Sequence, residues 1–168
     1  MTTIYFVRHG QASFGAESYD KLSPNGELQS ALLGRYFEKI LKEAPYVVAG
    51  SMQRHQQTAN FALAECFPEV DVETNNEWNE FNHQQVFELH DPRFSQPETL
   101  KTEVAKAESP RAYLSKIFEG AIQRWTGGDF HHEYAESWPD FQNRVETALE
   151  NLCNQLAESK LRYAVVFT

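Results

Sequence analysis

Thr3-Ile4-Tyr5-Phe6-Val7-Arg8-His9-Gly10-Gln11 is the stretch on which the reading of this chain turns. Its first five residues are all β-branched or aromatic, the composition of a buried strand. The character then changes within one residue to a cation, an imidazole and a glycine, as where a strand opens into a loop. In parallel α/β sheets ligands collect beyond the carboxyl ends of the strands. Arg8 and His9 therefore stand where chemistry is done.

Working outward, Ser23-Pro24 reads as a helix start, with serine as N-cap and proline at the first helical position. Leu28, Leu32, Phe37, Ile40 and Leu41 then recur at helical spacing until Pro45. Tyr46–Gly50 (YVVAG) predicts a second strand, followed by a helical stretch from about Met52 to Cys66. Val70–Thr74 is a third strand candidate. Residues 84–132 break the rhythm with polar, proline-punctuated segments and one amphipathic helix, whose face holds Leu114, Ile117, Phe118, Ala121, Ile122 and Trp125. A further helix carries Phe141, Val145, Leu149, Leu152 and Leu156, and Tyr163–Thr168 (YAVVFT) predicts a last strand. Strands alternating with helices imply an α/β three-layer sandwich with a mostly parallel sheet. The expected organisation is one domain over residues 1–168, with a helical cap insertion at about 84–132.

The chain has 168 residues, 41% hydrophobic and 23% charged, which suits a folded domain and excludes disorder as its main state. Two cysteines, Cys66 and Cys153, are too few for a disulfide scaffold and suit a reducing compartment; both read as buried, inert thiols. Fifteen Lys and Arg against 24 Asp and Glu leave a net charge of −9, which argues against a nucleic-acid partner. An anion site must then be a local pocket of arginine and backbone donors. No apolar run approaches the ~20 residues of a membrane span, and the start lacks a signal-peptide pattern. A cytoplasmic protein is expected.

Histidine at a strand end can act as a nucleophile toward phosphorus. An adjacent arginine presents a planar fork matched to phosphate oxygens, and a glycine lets the backbone approach a ligand. Three residues alone read equally well as a surface loop. The wider pattern changes that. Arg8-His9-Gly10, then Leu22-Ser23-Pro24-Asn25-Gly26 with Gln29, resembles the histidine phosphatase superfamily (phosphoglycerate mutase-like). Arg54-His55-Gln56-Gln57-Thr58-Ala59 is similar to that family's second arginine motif, Trp78-Asn79-Glu80 to its Leu-x-Glu, and Glu136-Ser137 with Phe141 and Arg144 to the approach to its late helix.

The resemblance implies a phosphatase in which His9 takes the phosphoryl group and Arg8 and Arg54 clamp its oxygens. Gln11 and Ser13 would join them in binding substrate, and Glu80, rather than the nearby Glu77, would move the proton. No metal or organic cofactor is implied, and the partner would be a small phosphorylated substrate or a phosphoprotein. Departures from the pattern are His55 where the family prefers a small residue, Gly50-Ser51-Met52 ahead of the arginine, and Gly15 where mutases carry asparagine. An adjacent arginine pair typical of mutases is also absent. Thr168 falls just before the position of the family's second histidine, so the fold is expected to lack its C-terminal helix and last strand. From this follow weak phosphate affinity, improved by extending or amidating the terminus, and an uncovered apolar sheet surface suited to homodimerisation. A non-catalytic phosphate-binding or interaction module is the alternative, and a phosphoglycerate mutase a weaker one. His83, His90, His131 and His132 match no compact metal-ligand spacing, and His131-His132 reads as a solvated pair. Trp125 and Trp138 read as packing residues, with a substrate lid as the alternative.

Overall fold

Tyr163–Phe167, aromatic or aliphatic at every position, forms one of the two inner strands of a parallel sheet. The structure, a computed structural model, describes residues 1–13 and 20–168; Gly15 lies outside the described residues. Four strands, β1 (Thr3–Val7), β2 (Tyr46–Ala49), β3 (Glu73–Thr74) and β4 (Tyr163–Phe167), pair in the order β1-β4-β2-β3, every pair parallel. The helices among the described residues are α1 (Pro24–Ile40), α2 (Gln53–Ala64), α3 (His83–His90), α4 (Pro97–Lys106), α5 (Pro110–Thr126) and α6 (Trp138–Ala157). By its internal contacts the chain divides into two units, Met1–Glu80 with Val145–Thr168, and Phe81–Arg144.

In the first unit the period of two along a strand sends alternate side chains to opposite faces. Val47, Ala49, Val165 and Phe167 join Phe37, Leu41, Ala59, Ala62 and Leu63 on the α1–α2 side. Val48, Ala164 and Val166 join Trp78, Ala148, Leu152 and Leu156 of the α6 side. This is the three-layer α/β arrangement expected. Each large apolar side chain so buried contributes about 1.5–3 kcal/mol relative to exposure.

Helix α1 begins as predicted: the Ser23 hydroxyl accepts from Gly26 N at 3.1 Å and Pro24 occupies the first turn. Its buried face differs from the prediction. Leu28 and Leu32 are 55% and 52% exposed, whereas Gly26, Ser30, Gly34 and Phe37 face inward. The cause is the closeness of α1 and α2. A Cβ at Gly34 would lie 2.0 Å from the Ala62 carbonyl oxygen, which leaves no room for leucine. Ser30 fits because its hydroxyl donates back to the Gly26 carbonyl at 2.8 Å.

Three other expectations are corrected here. The third strand is only Glu73–Thr74, because Val70 N bonds to the Phe67 carbonyl in a turn and the Val70 and Val72 side chains pack on the core. On α6, Ala148 takes the buried place expected for Leu149, since positions 148, 152 and 156 form the inward stripe. Cys153 is exposed rather than buried, and Cys66 is half-buried.

The second unit holds more helix than its sequence suggested. Besides α5 it contains α3, capped by the Asn82 side chain accepting from Gln85 N, and α4, started by Pro97. Its core is Val86, Ala121, Trp125 and Tyr134, with Phe81, Trp138 and Phe141 around them. Trp125 is sealed there, its indole N–H donating to the Glu136 carbonyl, so the lid reading fails for it. Phe118, expected on the inner face of α5, is exposed. The His131-His132 pair sits in a short 3-10 turn, and His131 is partly buried rather than solvated.

Candidate active site

At the carboxyl end of β1 the sheet ladder continues past Val7. Thr168 N donates to the Val7 carbonyl at 2.9 Å, and His9 N donates to the Thr168 carbonyl at 2.7 Å. His9 is thus fixed by backbone before its side chain is considered. Its Nδ1 lies 2.6 Å from the Gly10 carbonyl. A carbonyl can only accept, so Nδ1 carries a proton and Nε2 is the atom turned to the site.

The loop after His9 is pinned by close backbone packing. A Cβ on Gly10 would lie 2.5 Å from the Gly26 carbonyl oxygen, and one on Gly26 would lie 2.2 Å from that of Gln11. Gly10 therefore serves approach to the first turn of α1, where the sequence suggested approach to a ligand. Gly10 N donates to the Thr58 hydroxyl at 3.0 Å, and that hydroxyl donates to the Arg54 carbonyl at 2.7 Å. One threonine side chain ties the β1 loop to α2.

Arg54, in the first turn of α2, is only 3% exposed. Its guanidinium donates to Asp20 Oδ1 at 2.7 Å and to Glu80 Oε2 at 2.5 Å. Asp20 Oδ2 also accepts from Gln53 N at 2.8 Å. Met52, at the N-cap of α2, makes no side-chain cap, so Asp20 supplies it from a distant segment, and its negative charge suits that end of a helix. Glu80 Oε1 lies 3.4 Å from His9 Nε2. The His9 hydrogen bond first, and then Arg54, hold the Glu80 carboxyl well below the usual carboxylate range, against the opposing push of burial.

His55 completes the cluster. It is 0% exposed, and its ring stacks on that of His9 with centroids 5.7 Å apart and planes 25° from parallel. Burial, and then the neighbouring Arg54 charge, lower its pKa from 6.5 to about 4.

Of the residues singled out in the sequence, His9, Arg54 and Glu80 come together; Glu77 is exposed. Arg8 is exposed and makes no ion pair among the described residues. Gln11 and Ser13 are used in local contacts: Gln11 Oε1 accepts from Asn25 Nδ2 in the first turn of α1 at 2.7 Å, and the Ser13 hydroxyl donates to the Leu22 carbonyl at 2.9 Å. Asp20 and Thr58 went unread. Thr58 lies four residues after Arg54, on the same helix face, which is a usable signal. Asp20 has none, because its role depends on a segment meeting α2 from elsewhere. Among the described residues no group of three or more His, Cys, Asp or Glu is placed to hold a metal ion, and no helix is long and apolar enough to cross a membrane.

Known structures share this arrangement of chain. Phosphoglycerate mutase from Bacillus anthracis superposes with a TM-score of 0.64 at 17% identity, over 99% of this chain and 74% of that one. YhfR of Bacillus stearothermophilus gives 0.58 at 16%, over 100% and 74%. The mycobacterial glucosyl-3-phosphoglycerate phosphatase, solved with VO3, gives 0.54 at 18%, over 97% and 73%. At these identities the likeness is one of fold. No curated protein matches the sequence significantly. The sequence profile that does match runs over residues 4–168, from the first strand through the last, and by it the chain belongs to the histidine phosphatase superfamily (branch 1).

Proposed function

We propose that the chain is a phosphatase that hydrolyses a phosphomonoester through a phosphohistidine on His9. The observation that carries this reading is the convergence on one point of His9 Nε2, the Glu80 carboxylate and the buried Arg54 guanidinium. Arg54 offers fixed donors where phosphoryl oxygens gain charge, and Arg8 adds a second cation at the same strand end. His9 Nε2, which donates to Glu80 in the resting site, passes that proton to the carboxylate, and its freed lone pair attacks phosphorus while the bond to the leaving oxygen breaks. Nδ1 stays protonated on the Gly10 carbonyl, so one edge of the ring stays anchored through the step.

Glu80 is ionised in the resting site, and a proton donor must first be protonated. The incoming phosphoryl group supplies the reason. It draws on Arg54 and sets negative charge beside Glu80, and both changes raise a carboxyl pKa. Glu80 then delivers its proton to the leaving oxygen. In the second half it takes a proton from water, the resulting oxygen attacks phosphorus, and the P–N bond breaks to return His9 and release phosphate. The balance is one water consumed per ester cleaved. The phosphatase solved with VO3 supports the reading by fold. Small phosphomonoesters and phosphoproteins are the substrate classes we assign, and a reducing cytoplasm suits its free thiols.

Hydrolysis of p-nitrophenyl phosphate without added metal, beside a His9→Ala control, tests the proposal. Expected are turnover by the parent chain, none by the variant, and a trapped phosphoenzyme labile to acid but stable to alkali. Turnover that survives in His9→Ala overturns it. One observation favours a second reading, a phosphate-binding module without turnover: two carboxylates already bridge Arg54 and compete with an anion for it. Saturable phosphate binding with no hydrolysis would establish that reading instead.

A further inference from the structure

His55 is fully buried, and neither ring nitrogen has a hydrogen-bond partner among the described residues. Leaving a buried polar group unsatisfied costs about 1–3 kcal/mol, which a leucine or phenylalanine in the same space would avoid. What the ring does make is an offset, near-parallel stack with His9, the centroids 5.7 Å apart. The opposite constraint comes from Gly50, whose missing Cβ would lie 2.3 Å from His55 Nδ1, so the ring has no room to retreat.

A histidine side chain is held only loosely about its second torsion, where the energy wells are broad. The Nδ1–Gly10 bond fixes one edge of the His9 ring and leaves the ring free to swing about that edge. A flat wall against its face removes the remaining freedom. We propose that His55 is a positioning residue: it sets the plane of His9, so that Nε2 points at the phosphoryl position beside Glu80. This rests on the reading of His9 as nucleophile. Burial and the adjacent Arg54 keep the wall uncharged, so it adds no repulsion when the His9 ring gains positive charge during transfer. An aromatic face is then favourable beside it.

The test uses His55→Ala and His55→Phe, with two readouts. The first is the kcat and KM of p-nitrophenyl phosphate hydrolysis; the second is the tautomer of His9 read from its ring 15N shifts. In the parent chain the neutral His9 ring should be a single Nδ1–H tautomer. His55→Ala should lower kcat on the order of 10–100-fold, as small misplacement of a reacting atom does, leave KM within about twofold, and mix the His9 tautomers. His55→Phe should restore both the tautomer and most of kcat, and it carries the test alone if the alanine variant does not fold. Unchanged kcat and tautomer in His55→Ala overturns the proposal, as does a folded His55→Phe as impaired as the alanine variant. The nitrogen shifts need no turnover, so a parent chain without activity would fail the phosphatase reading while still deciding this one.

Discussion

Lowering the pH from 7 to 5 should cost the fold about 2 kcal/mol through His55 alone. In the folded chain its pKa is lowered from 6.5 to about 4, while the unfolded chain retains the ordinary value. Between those two values the unfolded state binds a proton that the folded state refuses, so stability falls as pH falls. The contribution is fully present above pH 6.5. It declines by about 2 kcal/mol at pH 5 and about 3 kcal/mol at pH 4, and levels off below. Glu80 acts in the same sense but lower, because a depressed carboxyl loses its contribution only as pH drops beneath the usual carboxylate range. The assay is urea unfolding of the parent and of His55→Phe at pH 7, 6, 5 and 4.5. Whatever the offset at pH 7, the gap between the two curves should shift in favour of the variant as acid is added. Parallel curves across that range would refute the reasoning, because they would mean that His55 takes up its proton without unfolding.

Gly34→Ala should lower stability by about 2 kcal/mol and Tm by roughly 4–8 °C, since overpacking against the Ala62 carbonyl outweighs the gain of about 1 kcal/mol in helix propensity. An unchanged or raised Tm in a thermal scan would contradict the close α1–α2 contact. Gly26→Ala should disturb the loop bearing His9 by the same kind of clash, and p-nitrophenyl phosphate turnover should fall more than far-ultraviolet circular dichroism changes. Glu80→Gln should reduce kcat on the order of 10²–10⁴-fold, and retention of full kcat would remove Glu80 from the proton transfers. Cys153, exposed, should react with a thiol reagent well before Cys66, which is half-buried and whose thiol burial pushes up; equal rates in a timed labelling experiment would contradict that difference.

What could be read from the sequence divides by range. The strand-to-loop change at Arg8-His9 is local, as are the capping of α1 by Ser23-Pro24 and the period of the Arg54 helix, and the structure has all of them. Which face of α1 turns inward is not local. Leucines at 28 and 32 advertise a buried stripe, but the distance to α2 admits only glycine and serine there, and that distance is a property of two helices together. Short α3 and α4 lack the run of apolar positions that would announce them. Their boundaries come from Asn82 and Pro97, whose signals are ambiguous outside a fold. At the site, His9, Arg54 and Glu80 were legible as residue types at strand ends and in motifs. Asp20 bridging Arg54 and the stacking of His55 on His9 depend on which segments meet.

The ladder that anchors His9 has a consequence for how the protein is made. Thr3 pairs with Tyr163 and Val7 with Phe167, so among the described residues the strand that pairs with β1 in the sheet lies some 160 residues further on. At synthesis rates of about 5–20 residues per second, β1 waits roughly 8–30 s for that neighbour to be polymerised. Closing so long a loop is also what makes parallel sheets slow to form. Helices α1 and α2, which contact each other directly and lie close in sequence, can meet well before then. During synthesis, and again in refolding, Arg54 and Thr58 have a platform while His9 still hangs on an unpaired strand. Recovery of the His9 site should therefore be the late phase of refolding, trailing the return of helical signal.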